Sequence, residues 1–180
     1  HMQIVKKILL SLLGIIIILL ITALFVEKEY AVEREVTINR PVSDVFNYIK
    51  FLQNQKNFSI WAQKDPHAEM EYKGVDATVG FISSWNSKIK DVGVGEQEIR
   101  GVVPNQRIDY ELRFKKPQEC VGQAYMTTDS VSASQTNVKW CFKGKMNYPM
   151  NLMLLMMNMD KMLGGDLQTG LDNLKTLLEK

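Results

Sequence analysis

The chain has 180 residues, of which 46% are hydrophobic and 23% charged, and its formal net charge at pH 7 is +2. This length suits one domain of ordinary size plus a short additional segment. Lys and Arg are interleaved with Asp and Glu throughout, so the chain lacks the basic stripe of a nucleic-acid-binding surface. We therefore predict no nucleic-acid partner.

An uncharged apolar stretch, Ile8 to Val26, lies near the N-terminus. As a helix it would span about 28 Å, which matches the hydrocarbon core of a bilayer. A cleaved signal peptide is the competing interpretation, but the run is long for one and no convincing cleavage site follows. We predict a tail and membrane anchor over residues 1–27 and a globular domain over residues 28–180. Lys6 and Lys7 favour a cytoplasmic N-terminus, which would place the domain on the extracytoplasmic, periplasmic side of an inner membrane.

The segment after the anchor predicts a strand followed by two short helices. Alternating residues from Val32 to Ile38 form the first strand. Pro41 opens a helix, because proline is tolerated in the first helical turn. A second short helix is predicted around Leu52–Phe58, and Asp65-Pro66 closes the pair, since the residue before a proline disfavours helical geometry.

Residues up to Tyr148 predict antiparallel strands. The segment from Arg107 to Lys116 alternates cleanly between apolar and charged side chains, which is typical of a strand with one covered and one wet face. The predicted strands are Glu69–Lys73, Val79–Asn86, Gly95–Val103, Arg107–Lys116, Cys120–Asp129 and Thr136–Met146.

The last residues, Tyr148 to Lys180, predict one long amphipathic helix of roughly 45 Å, because apolar side chains recur three or four residues apart. Its N-terminal half is rich in methionine, which indicates core filling, the wall of an adaptable pocket, or a membrane or dimer contact. Gly164-Gly165 interrupts the pattern and indicates close backbone approach or a soft point beside a cavity. With strands before it, we predict a sheet wrapped around this helix.

The two cysteines are predicted to be unpaired. Cys120 and Cys141 fall on adjacent strands of one hairpin, but the turn between them offsets the two residues by about four positions. That offset is roughly 13 Å along a strand, too far for a disulfide.

Several segments resemble, in their shared order, the START-like (helix-grip) superfamily, and specifically its polyketide cyclase/dehydrase and lipid-transport (SRPBCC) branch. The similar segments are Ile38–Phe46, Trp61 with Asp65-Pro66, Gly80 with Trp85, Thr136–Trp140 before Gly144, Tyr148-Pro149, and Gly165–Leu171 with Leu174-Lys175. The resemblance covers roughly Tyr30 to Lys180. Phe58–Trp61 departs from it by lacking the paired tryptophans often found there, so the pocket mouth is expected to differ.

The resemblance implies an α+β helix-grip fold. In such a fold a curved antiparallel sheet grips a long C-terminal helix, two short helices follow the first strand, and an apolar cavity lies between sheet and helix. Members of the family bind lipids, sterols, polyketides or other apolar molecules, and some are enzymes, so the fold does not by itself choose the function.

A ligand cavity of this kind needs apolar walls and a few polar groups that orient the ligand. We expect six aromatic residues to line it, facing three methionines, while simple core packing explains any one aromatic equally well. The expected ligand-binding residues are Trp61, Phe81, Trp85, Tyr110, Tyr125, Trp140, Met153, Met156 and Met157.

The sequence gives little support for catalysis or metal binding. His67 lies beside Asp65-Pro66 in a predicted surface turn, and neither Ser83 nor Ser84 has an evident partner base. The paired spacings of zinc ligands are absent. We therefore predict no catalytic residue, no metal and no cofactor.

Three functional hypotheses follow. The preferred one is a membrane-tethered, non-enzymatic domain that binds a hydrophobic small molecule or lipid. The second is a cyclase/dehydratase-like enzyme with Tyr110, Tyr125 or an acidic group in the pocket, which would require a buried group of shifted pKa there. The third is a partner-binding membrane protein with a vestigial pocket, which an exposed apolar patch at Met150 to Met157 would favour.

Overall fold

A computed structural model describes residues 2–180 and contains one seven-stranded antiparallel sheet with four α-helices. The elements are α1 (Met2–Ala23), β1 (Glu29–Ile38), α2 (Val42–Ile49), a 3-10 helix (Leu52–Asn57), α3 (Ile60–Gln63), β2 (Glu69–Lys73), β3 (Ile82–Asn86), β4 (Val94–Val103), β5 (Arg107–Lys116), β6 (Cys120–Ser132), β7 (Gln135–Lys145), a second 3-10 helix (Met150–Leu155) and α4 (Met159–Leu178).

The strands are ordered β1-β7-β6-β5-β4-β3-β2, and every neighbouring pair is antiparallel. Helix α4 packs on the inner face of this sheet through Leu167, Leu171 and Leu174, all fully buried. The predicted helix-grip architecture is thus confirmed, including the two predicted helical segments after the first strand, while α3 is an additional short helix.

The strand predictions hold because the period-two pattern reports directly which side chains face the core. Arg107–Lys116 is a strand with the predicted bounds, and its apolar set, beginning with Ile108 and Tyr110, faces inward. The strand predicted from Val79 begins instead at Ile82. Ala77 and Gly80 have positive φ angles, so the backbone turns there before the strand can start.

The prediction of a single helix from Tyr148 is wrong. Residues Met150–Leu155 form a separate 3-10 helix, and α4 begins at Met159, where the Asn158 side chain accepts a hydrogen bond from the N–H of Lys161 at 2.9 Å. The turn before α4 lies against the end of α1, because the buried Asn151 amide donates hydrogen bonds to the carbonyls of Ala23 and Val26 at 2.7 and 2.9 Å.

Helix α1 carries exposed apolar side chains along its whole length, and it is long and apolar enough to cross a membrane. Its 22 residues correspond to about 33 Å. The helix begins at Met2 and ends at Ala23, so the last residues of the predicted span, Leu24 to Val26, lie outside it.

The Gly164-Gly165 pair does not interrupt α4, which runs through it without a break. At Gly164 a side chain, rather than the predicted backbone, approaches closely: a methyl group there would collide with the guanidinium of Arg34 on β1. Arg34 itself is held by two hydrogen bonds of 2.8 Å to the Asp160 carboxylate in the first turn of α4. Gly164 therefore lets this ion pair join the helix to the first strand.

The outer face of the sheet carries an ion-pair cluster centred on Arg113. Its guanidinium donates to Glu96 and Glu98 at 2.7 Å and to Glu111 at 2.5 Å. Hydrogen bonds from Arg113 hold the pKa values of Glu96 and Glu98 below their usual range, and these carboxylates in turn raise the pKa of Arg113. The cluster connects strands β4 and β5 across the solvent-facing surface.

Replacing Gly164 by alanine is expected to lower the free energy of unfolding by about 1 kcal/mol, because the new methyl group displaces Arg34 from Asp160. The matched control is Gly165→Ala, where the described chain places no heavy atom within 4 Å of the new methyl group. That change should raise stability by roughly 0.5–1 kcal/mol through helix propensity. Thermal unfolding of the full chain in detergent micelles measures both, and equal effects of the two substitutions would contradict the close-contact argument.

Arg113→Met is expected to destabilise the domain by roughly 1 kcal/mol at pH 7. The pKa values of Glu96 and Glu98 are lowered only in the folded state, so this stabilisation is present above their ordinary value of 4.5 and is lost as the pH falls through the lower folded-state values. The stability difference between wild type and variant should therefore shrink on acidification from pH 7 to pH 3. A difference that stays constant over this range in denaturant titrations would show that the carboxylates are not coupled to Arg113.

Candidate functional site

A cavity of about 670 Å³ lies between the inner face of the sheet, α4 and the two short helical segments after α2. The sizes of the side chains on the inner face of the sheet explain where this cavity lies. Where Ile99, Ile108 and Met126 face inward, large buried side chains fill the space under α4. Nearer the start of β1 the inward positions include the small residues Ser83 and Ala124, and the space above them stays open.

Three tryptophans from the predicted set line this cavity: Trp61, Trp85 and Trp140. Trp61 and Trp140 meet edge to face with ring centroids 5.8 Å apart. Trp85 makes a similar contact of 5.9 Å with Phe114, and its indole N–H donates to the carbonyl of Val92 at 3.1 Å. These contacts fix all three rings, so the aromatic wall is preorganised.

Phe81 and Tyr110 do not line the cavity but belong to the packed core, with 1% and 2% of their surface exposed. A row of paired residues starts at Val32 and runs through Phe142, Ala124, Tyr110 and Ile99. Beyond this row large buried side chains fill most inward positions, and Trp140, which pairs with Met126, is a cavity-lining residue there. Phe81 and Tyr110 thus form the closed end of the site.

Tyr125 points to the opposite, outer face of the sheet. Its hydroxyl donates to the Glu33 carboxylate at 2.6 Å, and the Arg107 guanidinium lies 3.9 Å from its ring centroid. The bond to Glu33 and partial burial raise the pKa of Tyr125. The expectation that it faces the pocket is wrong because its neighbours Ala124 and Met126 take the inward positions of β6.

The three methionines of the predicted set do not face the tryptophans either. Met153 is 41% exposed and Met156 is 91% exposed, while Met157 lies with Met156 beside a groove formed with residues 25–32. The physical reason is the break before α4, which sends the methionine-rich turn toward the end of α1. The aliphatic part of the cavity wall comes instead from Leu112 on the sheet and from Leu163 and Leu167 on α4.

Gln55 is the polar group that the sequence did not single out. It lines the cavity with only 8% of its surface exposed, and its side-chain nitrogen has no hydrogen-bond partner within residues 2–180. The Tyr110 hydroxyl is the neighbouring buried polar group, and neither it nor the amide makes a hydrogen bond of good geometry in the described chain. Burial raises the pKa of Tyr110, and its interaction with Gln55 opposes part of that rise. An unsatisfied buried donor is costly, so this amide is poised to bond an oxygen atom of a ligand.

Exposed cavity-lining residues, among them Lys64, Pro66 and Asp91, place the cavity opening at the α3–β2 and β3–β4 loops. Asp65 joins these loops by accepting hydrogen bonds from the Ser87 hydroxyl and from the N–H of His67, and the bond from Ser87 lowers the pKa of Asp65. On the α4 side, Lys64 pairs with Asp166 at 2.9 Å. His67 is exposed, as predicted for a surface turn. The opening is therefore framed by charged groups around an apolar interior.

Neither of the two cysteines lines the cavity. Among the residues described, Cys120 and Cys141 are both free, as predicted from their offset, and the register pairs Cys141 with Tyr125 rather than with a residue near Cys120. Residues 2–180 contain no cluster of three His, Cys, Asp or Glu side chains that could hold a metal ion.

The sequence profile of the family described as "Polyketide cyclase / dehydrase and lipid transport" matches residues 30–179. The chain therefore belongs to this family, and the match covers the whole sheet and α4. No curated protein matches the chain in sequence.

Solved structures share the fold at low sequence identity. Protein CV1439 from Chromobacterium violaceum is 14% identical with a TM-score of 0.58, over 83% of this chain and 97% of that one. The di-domain ARO/CYC protein BexL from the BE-7585A biosynthetic pathway is 14% identical with a TM-score of 0.60, over 84% of this chain and 50% of that one. Ara h 8.0201 is 11% identical with a TM-score of 0.54, over 83% of this chain and 97% of that one.

Gln55→Leu is expected to raise the stability of the delipidated protein by about 1 kcal/mol, because leucine has a similar shape and removes an unsatisfied buried donor. Gln123→Leu, at an exposed position of β6, is the control and should change stability by less than about 0.5 kcal/mol. Thermal unfolding in detergent after lipid extraction measures both variants. A destabilised Gln55→Leu variant would mean that the amide is already satisfied, for example by ordered water.

Proposed function

We propose that this protein is a membrane-tethered binding domain that holds an apolar small molecule or a lipid between its sheet and α4. The observation that carries the proposal is the apolar cavity of about 670 Å³, which is within the usual size range of small-molecule sites. Family membership supports it, because lipid transport is part of the family's description. The same description names polyketide cyclases, which keeps a polyketide among the candidate ligands.

Within this proposal, Trp61, Trp85 and Trp140 contact the ligand together with Leu112 and Leu163. The Gln55 amide donates a hydrogen bond to an oxygen atom of the ligand, which fixes the orientation of an otherwise apolar molecule. A ligand with a hydroxyl, carbonyl or ester oxygen toward its inner end satisfies both requirements. A pure hydrocarbon would leave the amide unpaired and would bind more weakly.

The tether is the second part of the proposal. Helix α1 is a candidate membrane span, and β1 follows its end after only a few residues, so the domain would be held close to the bilayer surface. Lys6 and Lys7 favour a cytoplasmic N-terminus, which assigns the domain to the extracytoplasmic side. The anchor within residues 1–27 and the domain over residues 28–180 would then act as one unit.

The alternative of a cyclase/dehydratase-like enzyme needs a titratable group inside the cavity. Tyr110 lies in the core behind it and Tyr125 on the other face of the sheet. Asp65 lines the opening, but its lowered pKa favours the ionised form and its oxygens are engaged by Ser87 and His67. The arrangement favours binding over acid–base chemistry.

Ala124→Phe is expected to lower the amount of co-purifying apolar molecule per protein by about tenfold, because the ring would extend from β6 into the cavity. The matched control is Val121→Phe on the same strand, whose side chain is 57% exposed and outside the cavity. Native mass spectrometry of the detergent-purified chain, followed by organic extraction, measures occupancy and identifies the ligand class.

An apolar molecule bound at one per protein in the wild type and in Val121→Phe, and depleted in Ala124→Phe, is the outcome we expect. A wild-type protein that retains no apolar molecule in membranes or after gentle extraction would contradict the binding proposal. Equal depletion in both variants would locate the bound molecule outside this cavity.

A further inference from the structure

The end of α1 and the turn before α4 form one rigid unit. Asn151 is fully buried, and its amide donates to the carbonyls of Ala23 at 2.7 Å and Val26 at 2.9 Å. The N–H of Met146 donates to the carbonyl of Lys28 at 2.7 Å. Residues 150–156, which we call the methionine turn, are thus fixed against the last turn of the candidate membrane helix.

The methionine turn is unusually exposed for its composition. Met156 is 91% exposed, Leu155 65%, Met150 49% and Met153 41%. Just after the end of α1, Phe25 is 83% exposed. Contiguous apolar side chains of this kind mark a surface that is covered by a partner or a membrane.

We propose that the methionine turn is a membrane-docking surface that inserts its side chains into the leaflet in which α1 ends. The inference rests on the proposed membrane tether. If α1 spans the bilayer, its last residues lie at the interface between lipid and water, and Asn151 holds the turn at that same level. Flexible methionine and leucine side chains suit the uneven boundary between headgroups and acyl chains.

The direction of the strands places the cavity opening on the side of the sheet where β1 begins. The row of paired residues from Val32 through Ala124 to Ile99 crosses the sheet, and β1 starts on the anchor side of that row. Trp85, Phe114 and the β3–β4 loop, which reach the cavity opening, lie on this same side, because β4 runs in the same direction as β1 and Gly95, which pairs with both Trp85 and Phe114, precedes Ile99 on it. Docking of the methionine turn therefore directs the opening toward the bilayer that holds α1.

The test is depth-dependent fluorescence quenching of the full chain in phosphatidylcholine–phosphatidylglycerol vesicles that contain nitroxide-labelled lipids. A Cys120→Ser background leaves Cys141, which is buried, as the remaining native thiol. An environment-sensitive label is attached in separate variants at Met156→Cys in the turn, Ile16→Cys within α1, Lys90→Cys in the β3–β4 loop, and Val131→Cys at the far hairpin. All four positions are exposed, so labelling leaves the packed core intact.

We expect the label at position 156 to lose about half of its emission with nitroxides near the headgroups, and the label at position 131 to be unaffected. Position 90 should be quenched to an intermediate extent. Quenching at position 16 but not at 156 overturns the docking surface while leaving the tether in place. Absence of quenching at position 16 overturns the tether, and the docking surface with it, whereas ligand retention is judged separately by mass spectrometry.

The same experiment distinguishes a membrane from a protein partner as the molecule that covers the methionine turn. If position 156 is shielded both from lipid nitroxides and from a water-soluble quencher, the turn is covered by protein, such as a second copy of the chain. Cross-linking of the same cysteine would then identify that contact and would overturn membrane docking.

Discussion

Packing of α4 against only part of the inner sheet face is the constraint on which the site depends. Leu171 and Leu174 are completely buried against a region where large aliphatic side chains fill the space, and Leu167, also fully buried, lies at the cavity wall. Protein interiors pack to the density of organic crystals, so this half of the interface leaves no room for a guest. Toward the start of β1, the inward residues Ser83 and Ala124 are small, so a cavity separates α4 from the sheet there. The void follows from side-chain volumes along the strands.

That division also explains which aromatic residues reach the cavity. Tyr110 and Trp140 both point inward from neighbouring parts of the sheet, yet Tyr110 lies among large residues and becomes core. Trp140 pairs with the large residue Met126 on β6, and its ring meets Trp61 of the short helix α3 beside the cavity. Both aromatics have the same hydrophobic tendency, and what packs against each ring decides its role.

The strands and the family fold could be predicted because the sequence pattern that specifies each strand lies within that strand. Alternation over Arg107–Lys116 is enough to define both the strand and its inward face. The position of Tyr125 could have been found from the same signal, since Gly122, Ala124 and Met126 share one parity while Gln123 and Asp129 share the other with Tyr125. An aromatic ring with a polar end can lie on the wet face, and there it stacks on Arg107.

The break before α4 and the role of Gln55 could not be predicted in this way, because both depend on distant parts of the chain. Asn151 bonds to backbone atoms 128 and 125 positions earlier, and nothing in the methionine-rich pattern signals that contact. Gln55 lies in a short helix, where a glutamine ordinarily faces water. It is buried only because the sheet and α4 close over it. Long-range packing supplied both features.

An opening that faces the bilayer would change the rate of ligand exchange more than the affinity. Transfer of an apolar chain from lipid into water costs about 0.8 kcal/mol per buried CH₂ group, so a route through water is slow for a long chain. A domain held at the surface by α1 and the methionine turn lets the ligand pass from lipid to cavity with little aqueous exposure. The equilibrium between cavity and bilayer is set instead by the walls and by Gln55, since the path does not alter the free energies of its end states. Anchor and cavity would therefore govern separate quantities, the first the kinetics of exchange and the second the choice of ligand.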